Sequence, residues 1–500
     1  MGSLAKVYMR EKLFGQIYTP KFVVEKILND IGFNNRGILG KTILDPACGD
    51  GRFLTEVAQR IIDFSPKNEI KQNLEKIYGW DIDRKAVEFC LENLSELVKP
   101  FNIFVDWNIF DLNSILKYQK PSIFFQVTES EKFDFIVGNP PYIRIQHLEK
   151  EQRSHIQNNY DFCKNGSTDI YIAFFELAIS LLNENGICGF ITPNTYFYTE
   201  TAKPLRQHFA KHQNLLKLTN YTDIQIFDNA TTYSAITIFN KKRNQKFYFQ
   251  KAVSKTELIE KQFEFTELQK PIWQLSVENK TVIKGKKLGD ISKIHVGITT
   301  LCDKAYIFPV QILDENYVIA KTELKGKVKL EKEILKPIVK GSTLKNSNDP
   351  IKKYILFPYK KINGKHQIIP ENEFQENYPL TYDYLLSIKS ILDKRDNGKP
   401  NSVAWYAFGR SQGLDTSFGK KIIFSPMNNK PNFVFYENEE CTFYSGYCIK
   451  FNGDFQKLLK QLNSDEMQKF VEISSRDFRG GWKAYNKRVI ENFIIDIEKI

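Results

Sequence analysis

The sequence is short of cysteine and histidine and has no long apolar run, and each shortage excludes a class of protein. Its 7 cysteines lack the Cys-x-x-Cys spacing of zinc sites, and they predict a reduced protein rather than a disulfide-stabilised one. His208 and His212 have no third ligand nearby in sequence, so we interpret them as packing or surface residues and expect no metal. No run of about 18 apolar residues predicts a membrane span, and the first residues lack a signal-peptide core. We therefore expect a cytoplasmic protein without a membrane-bound part.

Positive charge is concentrated in the second half of this 500-residue chain, whose length predicts more than one domain. Residues 1–240 hold 26 Lys and Arg against 28 Asp and Glu, whereas residues 241–500 hold 45 against 31. A balanced half beside a basic half suggests that the basic half holds a polyanion, which the other half modifies. A generic basic domain has the same charge balance and is the alternative interpretation.

The most informative stretch is Asn139-Pro140-Pro141-Tyr142. It follows an apolar run, residues 133–138, that predicts a buried strand ending at a glycine. The two prolines remove two backbone donors and fix two φ angles, which gives a stiff turn where open α/β sheets bind ligands. The turn offers an amide side chain, free carbonyls and an aromatic face, and these suit a planar group with an amino donor. A rigid turn without chemistry is the alternative.

A second motif, Asp-Pro-Ala-Cys-Gly-Asp-Gly at residues 45–51, lies between a short apolar strand and an amphipathic helix. Backbone amides at a helix N-terminus can bind a carboxylate, and small residues allow a ligand to approach closely. Asp45 could receive an ammonium group. A nucleotide-binding turn is the competing interpretation of the two glycines.

Residues 76–83 predict the next strand, with Asp81 near its end. A carboxylate here, about thirty residues past a glycine loop, can accept hydrogen bonds from both hydroxyls of a ribose. Asp83 is predicted to cap the helix of residues 84–95. Residues 102–106 predict a third strand.

These motifs, in this order, resemble those of the TaqI-like, gamma-class N6-adenine DNA methyltransferases with a C-terminal target-recognition domain. The resemblance is carried by the glycine motif, by Phe133–Gly138 with the Asn-Pro-Pro-Tyr turn, and by Gly-Gln-Ile-Tyr-Thr-Pro at residues 15–20. It implies an α/β fold, with a seven-strand, Rossmann-like domain that depends on S-adenosyl-L-methionine over residues 1–245. A mixed α/β target-recognition domain is expected over residues 246–500. The predicted strands lie near residues 42, 77, 103, 134, 188, 216 and 235, and the last is expected to run antiparallel.

The resemblance also implies roles for single residues. The catalytic set comprises Asn139, Pro140, Pro141, Tyr142 and Phe227. The cofactor set comprises Ile17, Thr19, Asp45, Ala47, Cys48, Gly49, Gly51, Asp81, Ile82, Asp106 and Trp107. Asp111 is the alternative to Asp106 for binding the adenine amino group of the cofactor, and Tyr233 is the alternative to Phe227.

We expect DNA contacts in polar, glycine-containing stretches, because Arg and Lys side chains reach phosphates and guanine edges. The residues assigned to DNA are Arg144, Arg410, Arg479, Trp482 and Lys483. Residues 143–168 are polar and predict an irregular loop on the DNA side of the site, and a solvated insertion accounts for them equally well.

The expected function is site-specific methylation of the exocyclic amino group of an adenine that has been flipped out of the double helix. The expected partners are double-stranded DNA and a separate cognate restriction endonuclease, and the protein is expected to be a monomer. A protein glutamine N5-methyltransferase is one alternative, because its Asn-Pro-Pro-Tyr site holds a side-chain amide. A DNA-specificity subunit with a non-catalytic methyltransferase half is another.

Overall fold

The computed structural model describes residues 19–117, 132–227, 232–273, 275–277, 285–475, 477–478 and 480–500. The chain forms two compact units, residues 1–280 and residues 281–500. Within the described ranges, no helix combines the length and apolar character that crossing a membrane requires.

Several helices of the first unit are amphipathic, and their apolar sides face a central sheet. In the second of them, for example, Phe53, Leu54, Val57, Ala58, Ile61 and Ile62 are buried at helical spacing. The helices are α1 (Lys21–Asp30), α2 (Arg52–Phe64), α3 (Ile70–Leu74), α4 (Arg84–Val98), α5 (Ser114–Lys117), α6 (Lys150–Asn159), α7 (Tyr171–Leu181) and α8 (Lys203–His212).

Nine strands form the sheet of the first unit. They are β1 (Ile43–Asp45), β2 (Ile77–Asp81), β3 (Asn108–Asp111), β4 (Phe133–Gly138), β5 (Leu182–Pro193), β6 (Leu215–Asn220), β7 (Ser234–Asn240), β8 (Lys246–Ala252) and β9 (Leu258–Glu264). Their order is β3-β2-β1-β4-β5-β7-β6-β8-β9. Strands β1 to β5 run parallel, and β7 is antiparallel to both of its neighbours, as predicted.

The sheet separates two hydrophobic cores, because neighbouring residues of a strand point to opposite faces. Leu44 and Ile136 belong to one core, whereas Ile43 and Val137 belong to the other. Both faces of the central strands are therefore covered, which leaves the ends of the strands as the place for a site.

The sheet differs from the prediction in three places. The third strand begins at Asn108, so the strand predicted at 102–106 is wrong, since that stretch leads into β3 without pairing. The predicted loop over 143–168 contains α6, a largely polar helix whose one buried residue is Ile156. Strands β8 and β9 extend the sheet beyond residue 245, because β8 pairs in parallel with β6. The compact units divide at 280/281, and the domain bounds of 1–245 and 246–500 stay a prediction.

The second unit contains many short strands and few long helices. Its helices are α9 (Leu288–Ile291), α10 (Asp303–Tyr306), α11 (Glu371–Asn377), α12 (Pro379–Ser387), α13 (Lys389–Leu392), α14 (Phe455–Leu462), α15 (Asp465–Ser474) and α16 (Lys487–Ile490). Its strands are β10 (Lys286–Lys287), β11 (Ser292–Val296), β12 (Ile307–Phe308), β13 (Val310–Ile312), β14 (Tyr317–Thr322), β15 (Gly326–Glu331), β16 (Leu335–Lys340), β17 (Lys353–Leu356), β18 (Tyr359–Ile362), β19 (Lys365–Ile368), β20 (Lys421–Phe424), β21 (Met427–Asn428), β22 (Phe433–Tyr436), β23 (Thr442–Tyr444), β24 (Tyr447–Phe451), β25 (Asp477–Phe478), β26 (Trp482–Ala484) and β27 (Ile494–Ile495).

These strands form several small sheets, of which the two largest have four strands each, β11-β24-β20-β22 and β12-β17-β16-β23. Separate hydrophobic clusters lie under them, so the unit has more than one core. The mixed α/β composition predicted for this part of the chain is confirmed.

Candidate active site

The centre of the candidate site is the carboxyl end of β4, where the strand meets Asn139 and Pro140. The strand is fixed on both sides, by parallel pairing with β1 and with β5. Its last residue, Gly138, has a φ of +154°, and a Cβ at this position would lie 2.6 Å from Asp45 Oδ1. Only glycine therefore allows β4 to end this close to the first residue of the glycine motif.

A residue near the start of the first unit holds the side chain of Asn139 in place. Its Nδ2 donates a hydrogen bond of 3.1 Å to Thr19 Oγ1, and Thr19 is buried. Thr19 does not cap α1, because the cap position is taken by Pro20, which makes no side-chain hydrogen bond. The bond to Thr19 fixes the orientation of the amide, so that Oδ1 is the acceptor end of Asn139.

Two aromatic rings surround Tyr142. Its ring centroid lies 6.3 Å from that of Phe227 and 6.4 Å from that of Tyr171, and both pairs are edge-to-face. Burial raises the pKa of Tyr142 well above its ordinary value, and its hydroxyl has no hydrogen-bond partner among the described residues. Because Tyr142 and Phe227 contact each other, a planar ligand can enter between them only if one ring moves.

The glycine motif forms a tight turn between β1 and α2. Gly49 has a φ of +53°, with no atom within 4 Å of the place a Cβ would take, whereas a Cβ on Gly51 would lie 2.6 Å from Cys90 Sγ. Gly51 is the left-handed N-cap residue of α2. The turn thus presents backbone to open space at Gly49 and packs tightly at Gly51, which is the geometry expected of a loop that binds a ligand closely.

Cys48 supports this turn from inside. It is buried, its amide donates a 3.0 Å hydrogen bond to the Trp80 carbonyl, and its thiol faces the core near Gly79. A hydrogen bond with the Cys90 thiol, together with burial, raises the pKa of Cys48. Its neighbour Ala47 is half-buried and donates its amide to Asp45 Oδ1 over 3.0 Å.

Asp45 is a buried carboxyl group with a strongly shifted titration. Burial raises the pKa of Asp45 to about 8, and the nearby Asp81 carboxylate adds to this increase, while the hydrogen bond from the Ala47 amide opposes it. Asp45 is therefore mostly protonated at neutral pH, and a cation placed beside it would favour its ionised form.

Asp81 lies at the end of β2, where the sequence predicts it. Its Oδ2 accepts a 2.8 Å hydrogen bond from the Gly49 amide, and its Oδ1 accepts one of 2.8 Å from the Asp83 amide. Burial raises the pKa of Asp81, and these backbone hydrogen bonds oppose the increase. Each carboxylate oxygen retains a second lone pair, so Asp81 can still accept two hydroxyl groups. Asp83 caps α4 as predicted, through a 3.1 Å bond from the Lys85 amide.

Because β3 begins later than predicted, Asp111 rather than Asp106 is the carboxylate at the end of this strand. Asp111 is the last residue of β3 and pairs in register with Asp81, so both stand at the carboxyl edge of the sheet. Asp106 is exposed and precedes β3, and Trp107 is half-buried against the core. Ile82, by contrast, is an apolar side chain that is 52% exposed beside Asp81. An exposed apolar surface next to two carboxylates is suited to the flat ring of a nucleoside.

The residues assigned to DNA belong to both units. Arg144 is exposed in the first unit, and its backbone bridges to Asp169. In the second unit Trp482, 42% exposed, and Lys483 lie on β26, just after the turn at Gly480 and Gly481.

Three further residues were assigned to DNA or to the cofactor, namely Arg410, Arg479 and Ile17. Arg410 lies in the second unit beside a separate cavity that Trp482 and Lys483 do not line. Ile17 and Arg479 lie outside the described residues.

Some residues at the site were not predicted from the sequence. Tyr171 packs against Tyr142, and its place at the start of an apolar helix is typical of a core residue. Asn194 follows Pro193 at the end of β5, and its buried Oδ1 has no hydrogen-bond partner in the part of the chain that the structure describes. The Pro-Asn pair at a strand end is the signal that could have indicated it.

The rings of His208 and His212 stack on α8, with 4.3 Å between their centroids, and burial lowers the pKa of His208 to about 4.

The fold and this edge of the sheet define the class of the first unit, an S-adenosylmethionine-dependent methyltransferase domain. The glycine turn and Asp81 lie where the sequence predicts them for this class, and the predicted last strand runs antiparallel as expected. The predicted cofactor is confirmed with the class.

Comparison with known proteins agrees with this class. Residues 75–227 match the model of the Eco57I restriction-modification methylase family. The chain is 26% identical to the Type II restriction enzyme and methyltransferase RM.Eco57I of Escherichia coli, over 95% of this chain and 56% of that protein. It is 25% identical to the Type II methyltransferase M.BanIII of Aneurinibacillus aneurinilyticus, over 97% of this chain and 88% of that protein. The predicted resemblance to restriction-modification methyltransferases is thereby confirmed.

One solved structure resembles almost the whole chain. The Type IIL restriction-modification enzyme MmeI, solved in complex with DNA, matches with a TM-score of 0.60 and 14% identity, over 98% of this chain and 67% of that chain. At this identity the likeness shows the fold alone. The chain spans only about half the length, 56%, of RM.Eco57I.

Proposed function

We propose that this protein is a site-specific DNA methyltransferase that transfers a methyl group from S-adenosylmethionine to the exocyclic amino group of adenine. The observation that carries the proposal is the position of Asn139. It directly follows the end of β4, is oriented by Thr19, and lies next to the glycine motif through the close contact of Gly138 with Asp45. The similarity to restriction-modification methyltransferases supports DNA as the substrate.

Asn139 and Pro140 would act on the target nitrogen. The lone pair of an adenine amino group is delocalised into the ring, so the group is a poor nucleophile. The Asn139 side-chain oxygen and the Pro140 carbonyl would accept its two hydrogens and concentrate the lone pair on nitrogen. S-adenosylmethionine supplies the methyl group from its sulfonium. Neither residue titrates, so the amino group releases its proton to solvent after the transfer.

Tyr142 would hold the ring of the target base by stacking, with Phe227 on the other side. The base has to leave the double helix, because its amino group cannot otherwise reach this edge of the sheet. Since the two rings are in edge-to-face contact, base entry would require one of them to turn. This arrangement favours rate enhancement through positioning and preset hydrogen-bond acceptors.

The cofactor would lie along the carboxyl ends of β1, β2 and β3. Asp81 would accept the ribose hydroxyls, with Ile82 against the adenine ring, and Asp45 would receive the ammonium group. Asp111 replaces Asp106 as the proposed acceptor for the adenine amino group, because Asp111 stands at the correct end of β3.

The proposal is tested with Asn139→Ala, unmodified DNA and radiolabelled S-adenosylmethionine. Loss of a preset polar contact in a site closed to water raises the barrier by roughly 2–4 kcal/mol, so methyl transfer should fall at least about thirtyfold. Cofactor affinity should stay within about twofold. The matched control is Asn183→Ala, which removes one partly buried asparagine that donates 3.2 Å to Asp134 near the opposite end of β4. Near-normal turnover by Asn139→Ala would contradict the mechanism.

A further inference from the structure

A cavity of about 640 Å³ in the second unit has features of a ligand site. Four cationic residues line it, Lys389, Arg395, Lys399 and Arg410, together with the aromatic Trp405 and the exposed apolar Val403. Lys389 Nζ lies 5.5 Å from the centre of the Trp405 ring.

The backbone around this cavity is held in unusual conformations. Leu301, Asp396 and Asn397 have φ angles of +58°, +51° and +59°, although none of them is glycine. A Cβ on Gly409 would collide with the Leu301 side chain. Left-handed backbone at non-glycine residues costs free energy and is concentrated at functional sites.

Arg410 stands at this cavity with its guanidinium fixed in one orientation. Its Nη1 and Nη2 each donate a 3.1 Å hydrogen bond to Asp396, and Nη1 donates another of 2.9 Å to the Gly409 carbonyl. The main chain is anchored as well, because the Arg410 amide donates 3.2 Å to the Thr299 carbonyl. A guanidinium has five N–H groups, so these bonds leave Nε–H and the second Nη2–H without a partner among the described residues.

Those two remaining donors lie side by side on one edge of the planar group. Two parallel N–H donors match the O6 and N7 acceptors of guanine in the major groove, which is the commonest specific contact between proteins and DNA. A phosphate is a weaker match, because the Asp396 carboxylate neutralises Arg410 and would repel a second anion. The Arg410 side chain is 46% exposed, so the free edge can be reached from outside.

We propose that Arg410 reads a guanine of the recognition sequence through its Nε–Nη2 edge, and that Asp396 is the positioning residue that presents this edge. The inference rests on the proposed function in taking DNA as the ligand. Asp396 is well suited to this task, since the left-handed turn that it begins is fixed by the neighbouring Arg395, which donates to the carbonyls of Leu392, Trp405 and Ala407 over 2.9, 2.7 and 2.8 Å.

The test is a binding selection from a random duplex DNA pool, using the full chain with S-adenosylmethionine. The wild-type protein should enrich a motif with guanine at a defined position. Arg410→Gln should lose about tenfold or more of the preference for guanine at that one position and keep the other letters. Arg410→Lys should behave likewise, because lysine keeps the charge but not the two-donor edge. Asp396→Asn should lose part of the same preference.

Arg488→Gln is the matched control, because Arg488 is an exposed arginine of the same unit that does not line this cavity. Its motif should equal that of the wild type. Unfolding midpoints and cofactor binding of all variants establish that they are folded. The inference is overturned if Arg410→Gln keeps every preference. It is also overturned by an equal loss of affinity for all sequences, which indicates a phosphate contact, or by a wild-type motif without guanine. A selected motif without any DNA methylation would instead contradict the proposed function.

Discussion

At the scale of single residues, the proposed role of the buried carboxyl group of Asp45 predicts that cofactor affinity depends on pH. Burial raises the pKa of Asp45 to about 8, so it is largely protonated in the free protein at neutral pH. The ammonium group of the cofactor would favour the ionised form, so binding should release a proton. Because release of a proton is favoured as pH rises, affinity should increase from pH 6 to pH 7 by up to about tenfold. This range lies below the usual pKa of an α-amino group, about 7.7–8.0.

Calorimetric titration of the full chain with S-adenosylmethionine at the two pH values measures this effect. Asp45→Asn should bind more weakly and lose the dependence on pH, which separates Asp45 from other titrating groups. An equal slope in the wild type and in the variant would remove Asp45 from the cofactor site.

The two carboxylates that pair in register across β2 and β3 give a second prediction. Asp81→Ala should weaken cofactor binding most, because hydrogen bonds to a charged group are worth about 1.5–3 kcal/mol each and two are expected here. Asp111→Ala should weaken it less, since one amino group is lost, and Asp106→Ala should have little effect because Asp106 precedes the strand. Titration with S-adenosylmethionine ranks the three variants. A larger effect from Asp106 than from Asp111 would restore the original assignment.

At the scale of elements, the end of β4 depends on Gly138. Alanine at this position would bring a Cβ within 2.6 Å of Asp45 Oδ1 and would be strained at a φ of +154°. We expect Gly138→Ala to destabilise the fold by roughly 1–3 kcal/mol and to reduce methyl transfer, because Asn139 follows directly. Urea denaturation and the transfer assay measure the two effects.

Gly40→Ala is the matched control for this prediction. Gly40 also has a positive φ, +73°, but no atom lies within 4 Å of the place its Cβ would take. This variant should lose only the stability that the strained backbone angle costs an alanine, and it should keep its methyl transfer. Equal effects of the two substitutions would show that the contact with Asp45 is unimportant.

The elements also show which features the sequence could predict. Strands β1 and β4 and the turns after them were predictable, because an apolar run followed by Gly or Pro is a strong local signal. The position of β3 was not, since the stretch before it, with Ile103, Phe104 and Val105, is as apolar as the strand itself. The bond between Thr19 and Asn139 joins residues 120 positions apart, and no local pattern encodes such a contact.

At the scale of the whole molecule, most of the net positive charge belongs to the second unit. Residues 281–500 hold 36 Lys and Arg against 26 Asp and Glu, whereas residues 1–280 are nearly balanced, with 35 against 33. Phosphate contacts dominate DNA affinity and weaken with salt. The intact protein should therefore show DNA binding that falls steeply between about 50 and 200 mM salt.

A fragment of residues 1–280 tests whether the second unit supplies the positive charge that binds DNA. It retains all nine strands of the sheet, whereas a fragment ending at 245 would remove β8 and β9 and expose the edge of β6. The longer fragment should bind S-adenosylmethionine, which shows that it is folded, but should lack the steep salt dependence. Equal salt dependence of the folded fragment and the whole chain would place the DNA-binding surface in the first unit.

The most direct test of the account is the chemical identity of the methylated product. Unmodified DNA is incubated with the full chain and S-adenosylmethionine, digested to nucleosides and analysed by mass spectrometry. The account predicts N6-methyladenine, formed at one recurring sequence and lost in Asn139→Ala. Methylation of cytosine alone, transfer of the label to a protein glutamine, or no transfer by a protein that binds its cofactor would contradict it.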